Sequence, residues 1–259
     1  YFTEVSFLHF WDKFLYMTIG GTLIMAGALI LNNWYEVDLD KEMYRTQQRP
    51  TVTGNFSMKS VLIMGITSSA LGMLLLLFTT IEAAIYGFLG WFTYVVLYTF
   101  WSKRKYTLNT VIGSISGAFT PLIGWATVTS AYHIIPIVLF IILFIWQIPH
   151  TFAIAIRRYE EYKAAKVPML PVVYGFDITK RQSAVYIACL LPLPLFLTSL
   201  GTAFVVITSV LNVAWLVLAI RGLFMKDNKK YANNMFSYSL TYLTIVFGMM
   251  IFITLPIFN

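Results

Sequence analysis

Cysteine and charged residues are scarce in this sequence, and each scarcity excludes a class of protein. The 259 residues include a single cysteine, Cys189, so the chain has no internal disulfide framework of the kind that holds small secreted domains together. Only 11% of the residues are charged and 59% are hydrophobic, whereas soluble domains carry roughly 25% charged residues. Mean hydropathy is +0.75. The composition is therefore that of a polytopic membrane protein and excludes a soluble globular domain.

Long apolar runs divide the chain into membrane spans. A helix needs about 20 apolar residues to cross roughly 30 Å of hydrocarbon. We predict an all-α membrane bundle that forms a single domain over residues 1–259, with Pro192 and Pro194 kinking the sixth span. The eight predicted spans are 14–35, 58–79, 82–101, 109–129, 134–156, 183–200, 202–224 and 236–257.

The distribution of Lys and Arg predicts the orientation of the chain. Seventeen of the 18 cationic residues lie in or beside four connections: 36–57, 102–108, 157–182 and 221–235. With eight spans all four connections are on one side of the membrane, and the positive-inside rule makes that side cytoplasmic. The net charge of +7 follows from this topology and indicates no nucleic-acid partner. We predict a multi-pass protein of a bacterial plasma membrane.

An acidic cluster follows the first apolar run. Four of the chain's 11 acidic residues lie within residues 32–42. Carboxylates at the mouth of a membrane helix are costly, and where they persist they indicate a metal, a cationic substrate or a proton path. Asn32, Glu36 and Asp40 are four residues apart, so a continuous helix places them on one face. Asp38 points to another face, and we predict a structural or surface role for it.

The cations near these carboxylates favour a phosphorylated substrate. Carboxylates cannot hold a diphosphate directly, but Mg²⁺ takes one or two carboxylates together with phosphate oxygens, while Arg and Lys contact the phosphates. Such a site would stabilise the charge that grows on an allylic diphosphate as its C–O bond breaks. Charged cytoplasmic loops also arise simply from topology. A cation or metal transporter is an alternative from another class, although its carboxylates would be expected near the midplane.

Three blocks of sequence resemble motifs of the UbiA superfamily of intramembrane prenyltransferases. The first is Asn-Asn-Trp-Tyr-Glu-Val-Asp-Leu-Asp with the following Arg-Thr-x-x-Arg-Pro, at residues 32–50. The second is the central block at 98–125, and the third combines Trp-Gln-Ile-Pro-His at 146–150 with Pro-Met-Leu-Pro at 168–171. The doubled Asn and the Arg-Thr-x-x-Arg-Pro ending are similar to the heme O synthase (protoheme IX farnesyltransferase) branch of the superfamily.

The resemblance implies a Mg²⁺-dependent reaction in which the farnesyl group of farnesyl diphosphate is transferred to a vinyl carbon of heme b. Water adds, and heme O and diphosphate are the products. Nine helices around a central cavity open to the cytoplasmic side are implied, so we expect that a first helix is missing or truncated before Tyr1. The implied partners include membrane lipid and a downstream membrane enzyme of the heme pathway. Alternatives are a quinone precursor as the prenyl-accepting substrate, or a scaffold that only delivers heme.

The resemblance also assigns roles to individual residues. Glu36 stands where the family more commonly has Asp, and 160–161 is Glu-Glu where it has Asp-Asp. His150 is interpreted as a ligand of heme iron or, alternatively, as a buried structural histidine. The implied metal ligands are Asn32, Glu36 and Asp40 for a first site and Glu160 and Glu161 for a second. The first three residues, together with Lys103, are the implied catalytic group, and the implied diphosphate-binding residues are Arg45, Arg49, Lys103 and Arg104.

Overall fold

The structure is a computed structural model that describes residues 10–254, and helices account for most of this part of the chain. The α-helices are α1 (Trp11–Tyr35), α2 (Val37–Glu42), α3 (Pro50–Thr53), α4 (Met58–Leu77), α5 (Ile81–Phe92), α6 (Asn109–Ala118), α7 (Thr120–Ala126), α8 (Ile134–Arg157), α9 (Tyr159–Ala164), α10 (Leu170–Cys189), α11 (Thr202–Leu223) and α12 (Asn228–Thr254). A π-helix, Thr93–Ser102, continues α5, and a 3₁₀-helix, Leu193–Leu200, follows α10.

Within the described residues, seven helical stretches are long and apolar enough to cross a membrane, which confirms the predicted all-α membrane bundle. These are Trp11–Tyr35, Met58–Leu77, Ile81–Ser102, Ile134–Arg157, Leu170–Leu200, Thr202–Leu223 and Asn228–Ile253. The prediction of one continuous span at 109–129 is wrong, because this run is divided at Phe119 into α6 and α7. Pro121, in the first turn of α7, lacks an N–H and would clash with the preceding turn of a continuous helix.

Two spans begin at least two helical turns earlier than predicted. Helix α10 starts at Leu170 rather than 183, and α12 starts at Asn228 rather than 236. Polar residues such as Lys180 suggested a loop, yet the Lys180 side chain is buried and its Nζ donates to Met225 O at 2.8 Å. The extra turns of α10 are therefore held by tertiary contacts, with a kink at Gly175, where φ is +83°.

The predicted disruption at Pro192 and Pro194 is confirmed. Helix α10 ends at Cys189, and the chain continues as the 3₁₀-helix. Pro194 has no N–H to donate to Leu190 O four residues earlier. That carbonyl accepts from Leu193 N at 3.2 Å and from the Asn212 side-chain Nδ2 on α11 at 2.7 Å, so a polar side chain inside the bundle helps to satisfy the broken helix.

Helix α1 packs closely against α4 along matching glycines. The two helices approach until a Cβ built on Gly72 would lie 2.7 Å from Gly20 O, and one built on Gly27 would lie 2.6 Å from Ser69 N. Small residues permit this approach, which gives membrane helices their van der Waals contact. The contact fixes α1 against its neighbour and thereby positions the acidic end of α1.

Helix α8 forms the opposite side of the bundle, and half of its span is buried. It packs against α6, α7, α10 and α12, whereas α1 packs against α4, α5 and the π-helix. A large cavity lies between these two sides.

We expect Gly72→Ala to destabilise the protein, because its new methyl group meets main-chain atoms of α1. Overpacking of this kind costs about 1–3 kcal/mol. Gly248→Ala is the matched control, since a Cβ at Gly248 meets nothing within 4 Å, and an alanine inside a helix is favoured over glycine. Thermal unfolding in detergent should therefore show a lower midpoint for Gly72→Ala and an unchanged or higher one for Gly248→Ala. Equal midpoints would contradict the close α1–α4 contact.

Candidate functional site

The acidic cluster lies where α1 passes into α2, and its helical hydrogen bonds continue across the junction. Glu36 N donates to Asn32 O and Asp40 N donates to Glu36 O, both at 2.9 Å, although Glu36 itself has non-helical angles. The three residues are each at most 5% exposed. The prediction that they share a face is thus consistent with the structure, which places all three on the wall of one small cavity.

The π-helix supplies the partners of this face. Its wider turn is seen in the bond from Lys103 N to Tyr98 O, five residues back, at 2.9 Å. π-helical turns are rare and are often found at functional sites. Here the π-helix aligns Thr99 and Lys103 with α1: Asn32 Nδ2 donates to Thr99 Oγ1 at 3.1 Å, and Lys103 Nζ forms an ion pair with Glu36 Oε2.

The connection after α2 folds back over the cluster. Arg49 Nη1 donates to Asp40 Oδ2 at 2.6 Å, so the second carboxylate is also paired with a cation. The Thr46 hydroxyl fixes this turn by donating to Asp40 O at 2.8 Å. The enclosed cavity has a volume of about 40 Å³ and is lined by Asn32, Glu36, Leu39, Asp40, Met43, Arg45, Arg49, Lys103 and Tyr162. The structure therefore brings together six of the predicted site residues.

One carboxylate oxygen in this cavity is left without a hydrogen-bond partner. Glu36 Oε1 is buried and unpaired in the structure, and a buried, unpaired carboxylate oxygen is costly. With Asp40 and the amide of Asn32, it offers the hard oxygen ligands that Mg²⁺ prefers. Residues 10–254 contain no group of three or more His, Cys, Asp or Glu that could hold a metal by itself. The donor set fits a Mg²⁺ that shares its coordination with substrate oxygens.

Arg104 contacts a different acid from the other predicted diphosphate-binding cations. Its Nη1 and Nη2 donate to the two oxygens of Asp38 at 2.6 and 2.7 Å, and its guanidinium lies 5.0 Å from the centre of the Tyr35 ring. The hydrogen bond from Arg104 holds the pKa of Asp38 below its ordinary value of 3.8. This pair lies outside the small cavity, in keeping with the surface role predicted for Asp38.

The Glu-Glu pair on α9 stands apart from the first three predicted ligands. Glu160 is exposed, and Glu161 Oε1 accepts from Arg158 Nη1 at 2.7 Å. Neither glutamate lines the small cavity, but the next residue, Tyr162, does. Helix α9 therefore lies against the site through Tyr162, and the second metal site stays a prediction.

A much larger cavity adjoins the small one. It has a volume of about 570 Å³, which is within the usual range for a ligand site. Tyr98 belongs to its wall and lies under the Lys103 ammonium group, with 5.4 Å between Nζ and the ring centre. Ala28, one turn before Asn32, also lines it. The polar site thus sits at one end of the large cavity.

The two walls of this cavity differ in chemistry. Large apolar and aromatic side chains cover the side formed by α1, α5 and the π-helix, including Met17, Ile24, Met25, Leu29, Trp91 and Tyr94. The side formed by α6, α7 and α8 is mostly small or polar, with Thr110, Gly113, Ser114, Ser116, Gly117, Thr120, Gln147 and Thr151. The cavity thus has one wall suited to an apolar chain and one wall that offers hydrogen-bonding groups.

His150 lies on α8 outside the set of residues that line either cavity. Its ring stacks between Trp146 and Phe236, at 4.7 and 5.0 Å between ring centres. The Ser239 hydroxyl donates its hydrogen to Phe236 O at 2.7 Å, so in the neutral ring His150 Nδ1 donates to Ser239 Oγ at 2.8 Å. This leaves the lone pair on Nε2. Heme ligation by His150 stays a prediction.

Several contributors to the site had no predicted role, Thr46, Thr99 and Tyr162 among them. Thr99 orients the Asn32 amide, and Tyr162 closes the small cavity. The signal for Tyr162 was its place directly after the Glu-Glu pair. The position of Thr99 depends on the π-helical turn, which the apolar sequence of 93–102 does not reveal.

Comparison with known proteins places this chain in a family. Residues 3–253 match the model of the UbiA prenyltransferase family. The protoheme IX farnesyltransferase of Oceanobacillus iheyensis is 56% identical over 259 residues, which are 100% of this chain and 82% of that protein.

Solved structures share the fold. The apo UbiA homolog from Aeropyrum pernix K1 has a TM-score of 0.73 at 15% identity, covering 94% of this chain and 90% of that one. The UbiA homolog from Archaeoglobus fulgidus, bound to DMAPP and Mg²⁺, has a TM-score of 0.66 at 15% identity, covering 96% and 89%. The chain is therefore an integral, multi-pass membrane protein that belongs to the UbiA prenyltransferase family.

Proposed function

We propose that this protein transfers the farnesyl group of farnesyl diphosphate to a vinyl carbon of heme b, with addition of water, to give heme O and diphosphate. The observation that carries the proposal is the pairing of buried Glu36 and Asp40 with Lys103 and Arg49 at one end of a large, mainly apolar cavity. The choice of farnesyl and heme is supported by the 56% identical relative named protoheme IX farnesyltransferase.

The small cavity would bind the diphosphate and Mg²⁺. Asn32, Glu36 and Asp40 would hold the metal, which supplies positive charge beside the phosphate oxygens when bound. The Archaeoglobus fulgidus homolog bound to DMAPP and Mg²⁺ supports a requirement for this ion. Glu160 and Glu161 are proposed to hold a second ion, since α9 already reaches the site through Tyr162.

The cations of the site would stabilise the leaving group. Arg49 and Lys103 are the cations paired with the site carboxylates, and Arg45 also lines the small cavity. Charge accumulates on the diphosphate oxygens as the C–O bond breaks, so cations placed there stabilise the transition state more than the bound substrate. Arg104, which pairs with Asp38, is proposed as an outer contact for the entering diphosphate.

The large cavity would hold the prenyl chain and the reacting edge of the porphyrin. Its apolar wall suits an isoprenoid, and its aromatic rings, Trp91, Tyr94 and Tyr98, can face a developing allylic cation. A volume of about 570 Å³ suits one ligand of drug size rather than two. We therefore expect only the vinyl-bearing edge of heme b to enter. His150 remains our proposed contact for heme iron.

The membrane arrangement completes the proposal. The chain would form one domain. Its acidic connections would lie on the cytoplasmic side of the membrane, because Lys and Arg are concentrated in those same connections. The product would pass through membrane lipid to a downstream enzyme of heme modification.

The direct test is an assay of the purified protein with farnesyl diphosphate, heme b and Mg²⁺. We expect heme O and diphosphate to form in equal amounts, to cease with a chelator, and to return when Mg²⁺ is restored. Mass spectrometry of the porphyrin and a diphosphate assay give the two readings. A quinone precursor consumed in place of heme b would overturn the choice of prenyl-accepting substrate, and ion flux in proteoliposomes without prenyl transfer would favour a transporter.

We expect Asp40→Asn to lower turnover at least about a hundredfold, because it removes a charged ligand beside the developing charge. Asp38→Asn is the matched control: it makes the same change two residues away, on an exposed side chain that pairs with Arg104 outside the small cavity. Its turnover should stay within about threefold of the unchanged protein, as expected for an exposed ion pair. Similar losses in both variants would refute the separate roles of the two faces of α2.

We expect Glu161→Gln to raise the Mg²⁺ concentration needed for half-maximal turnover about tenfold, the effect of losing one ligand of a second ion. Glu42→Gln, on the exposed side of α2, should leave that concentration unchanged. The measurement is a Mg²⁺ titration at saturating farnesyl diphosphate. An unchanged titration for Glu161→Gln would argue against a second metal site on α9.

A further inference from the structure

Gln147 is a polar side chain within the mainly apolar helix α8, and its orientation is fixed. Both of its amide hydrogens can be placed, since Nε2 donates to Ser114 O at 3.2 Å and to Leu143 O at 3.1 Å. Carbonyl oxygens can only accept, so the amide cannot be flipped. Its Oε1 is then left as a hydrogen-bond acceptor on a residue that lines the large cavity.

Gly117 provides the room for this amide. A Cβ built on Gly117 would lie 2.4 Å from Oε1 of Gln147 and 2.9 Å from its Cδ and Nε2, closer than real contacts allow, so Oε1 lies directly beside Gly117. The amide therefore occupies the space of a missing side chain on α6. Main-chain atoms of α6 and α8 therefore fix the position of the Gln147 amide.

The hydroxyl groups around Gln147 also present acceptors. Ser114 donates its hydrogen to Thr110 O at 2.8 Å, Ser116 to Gly113 O at 2.7 Å, and Thr120 to Gly117 O at 2.9 Å. A hydroxyl has one hydrogen, so each of these cavity-lining groups keeps only lone pairs for a ligand. This wall therefore suits a hydrogen-bond donor or a centre of positive charge.

We propose that Gln147 Oε1 orients the water molecule that completes the product. This inference rests on the proposed function, whose reaction needs both a carbocation and a water molecule in the same cavity. Water is a small donor that fits a wall of acceptors. With its hydrogens held by Gln147 and a neighbouring hydroxyl oxygen, its own lone pair faces the reacting carbon.

The reaction forms a C–C bond and then a C–O bond. The π electrons of the vinyl group form a bond from its terminal carbon to C1 of the farnesyl group, and the C–O electron pair leaves with diphosphate. Positive charge remains on the vinyl carbon attached to the porphyrin ring. The water oxygen forms a bond to that carbon, and the released proton passes to diphosphate. Without an oriented water molecule, the cation loses a proton from the neighbouring carbon instead and becomes an alkene.

The test is the ratio of hydroxylated product to alkene in Gln147→Leu, measured by mass spectrometry, since the alkene is lighter by one water. We expect this ratio to fall about tenfold, equivalent to about 1.4 kcal/mol between the two routes. Gln182→Leu makes the same change at an exposed position of α10 and serves as the control.

The product ratio separates this role from a merely structural one, which would lower both products together. If Gln147→Leu forms too little product to measure, Gly117→Ala is used, because its methyl group displaces the same amide. An unchanged ratio in the measurable variant would overturn the inference. If the unchanged protein makes no farnesylated heme at all, the proposed function itself fails. If the variant makes a normal total amount of product with an unaltered ratio of hydroxylated product to alkene, only the role of Gln147 fails.

Discussion

The site depends on the neutralisation of two carboxylates that are buried where a membrane helix ends. Glu36 and Asp40 are almost fully covered, and a buried charge is tolerated only when it is paired. Their partners come from opposite directions: Lys103 from the end of the π-helix, and Arg49 from the connection after α2. The same two contacts therefore hold the small cavity together and place cations beside the proposed metal ligands.

The small polar cavity and the large apolar cavity together determine what the site can bind. A metal site alone would bind phosphate, and an apolar cavity alone would bind lipid. Their junction at Tyr98 and Lys103 makes the arrangement suitable for a molecule that has a charged head and an apolar chain. The small, hydrogen-bond-accepting wall of α6 adds a third surface, where a different substrate can approach the reacting carbon.

Much of this arrangement could be predicted from the sequence, because it depends on local patterns. Hydropathy identified the membrane helices, and the spacing of Asn32, Glu36 and Asp40 predicted their common face. The failures have both local and long-range causes. Pro121 breaks a run that is apolar enough to span the membrane, while Lys180 looks like a loop residue but is buried against Met225 O. The partners of Asn32 and Glu36 depend on π-helical geometry, which hydrophobicity does not encode.

The separation of the two carboxylates from their partners along the chain has a consequence for biogenesis. Arg49 is only nine residues from Asp40, so that pair can form as soon as the first connection has been synthesised. Lys103 is 67 residues from Glu36 and follows two further spans. Until Lys103 has been synthesised, the Glu36 carboxylate at the end of α1 lacks its cation. An unpaired charge favours the aqueous interface over the hydrocarbon.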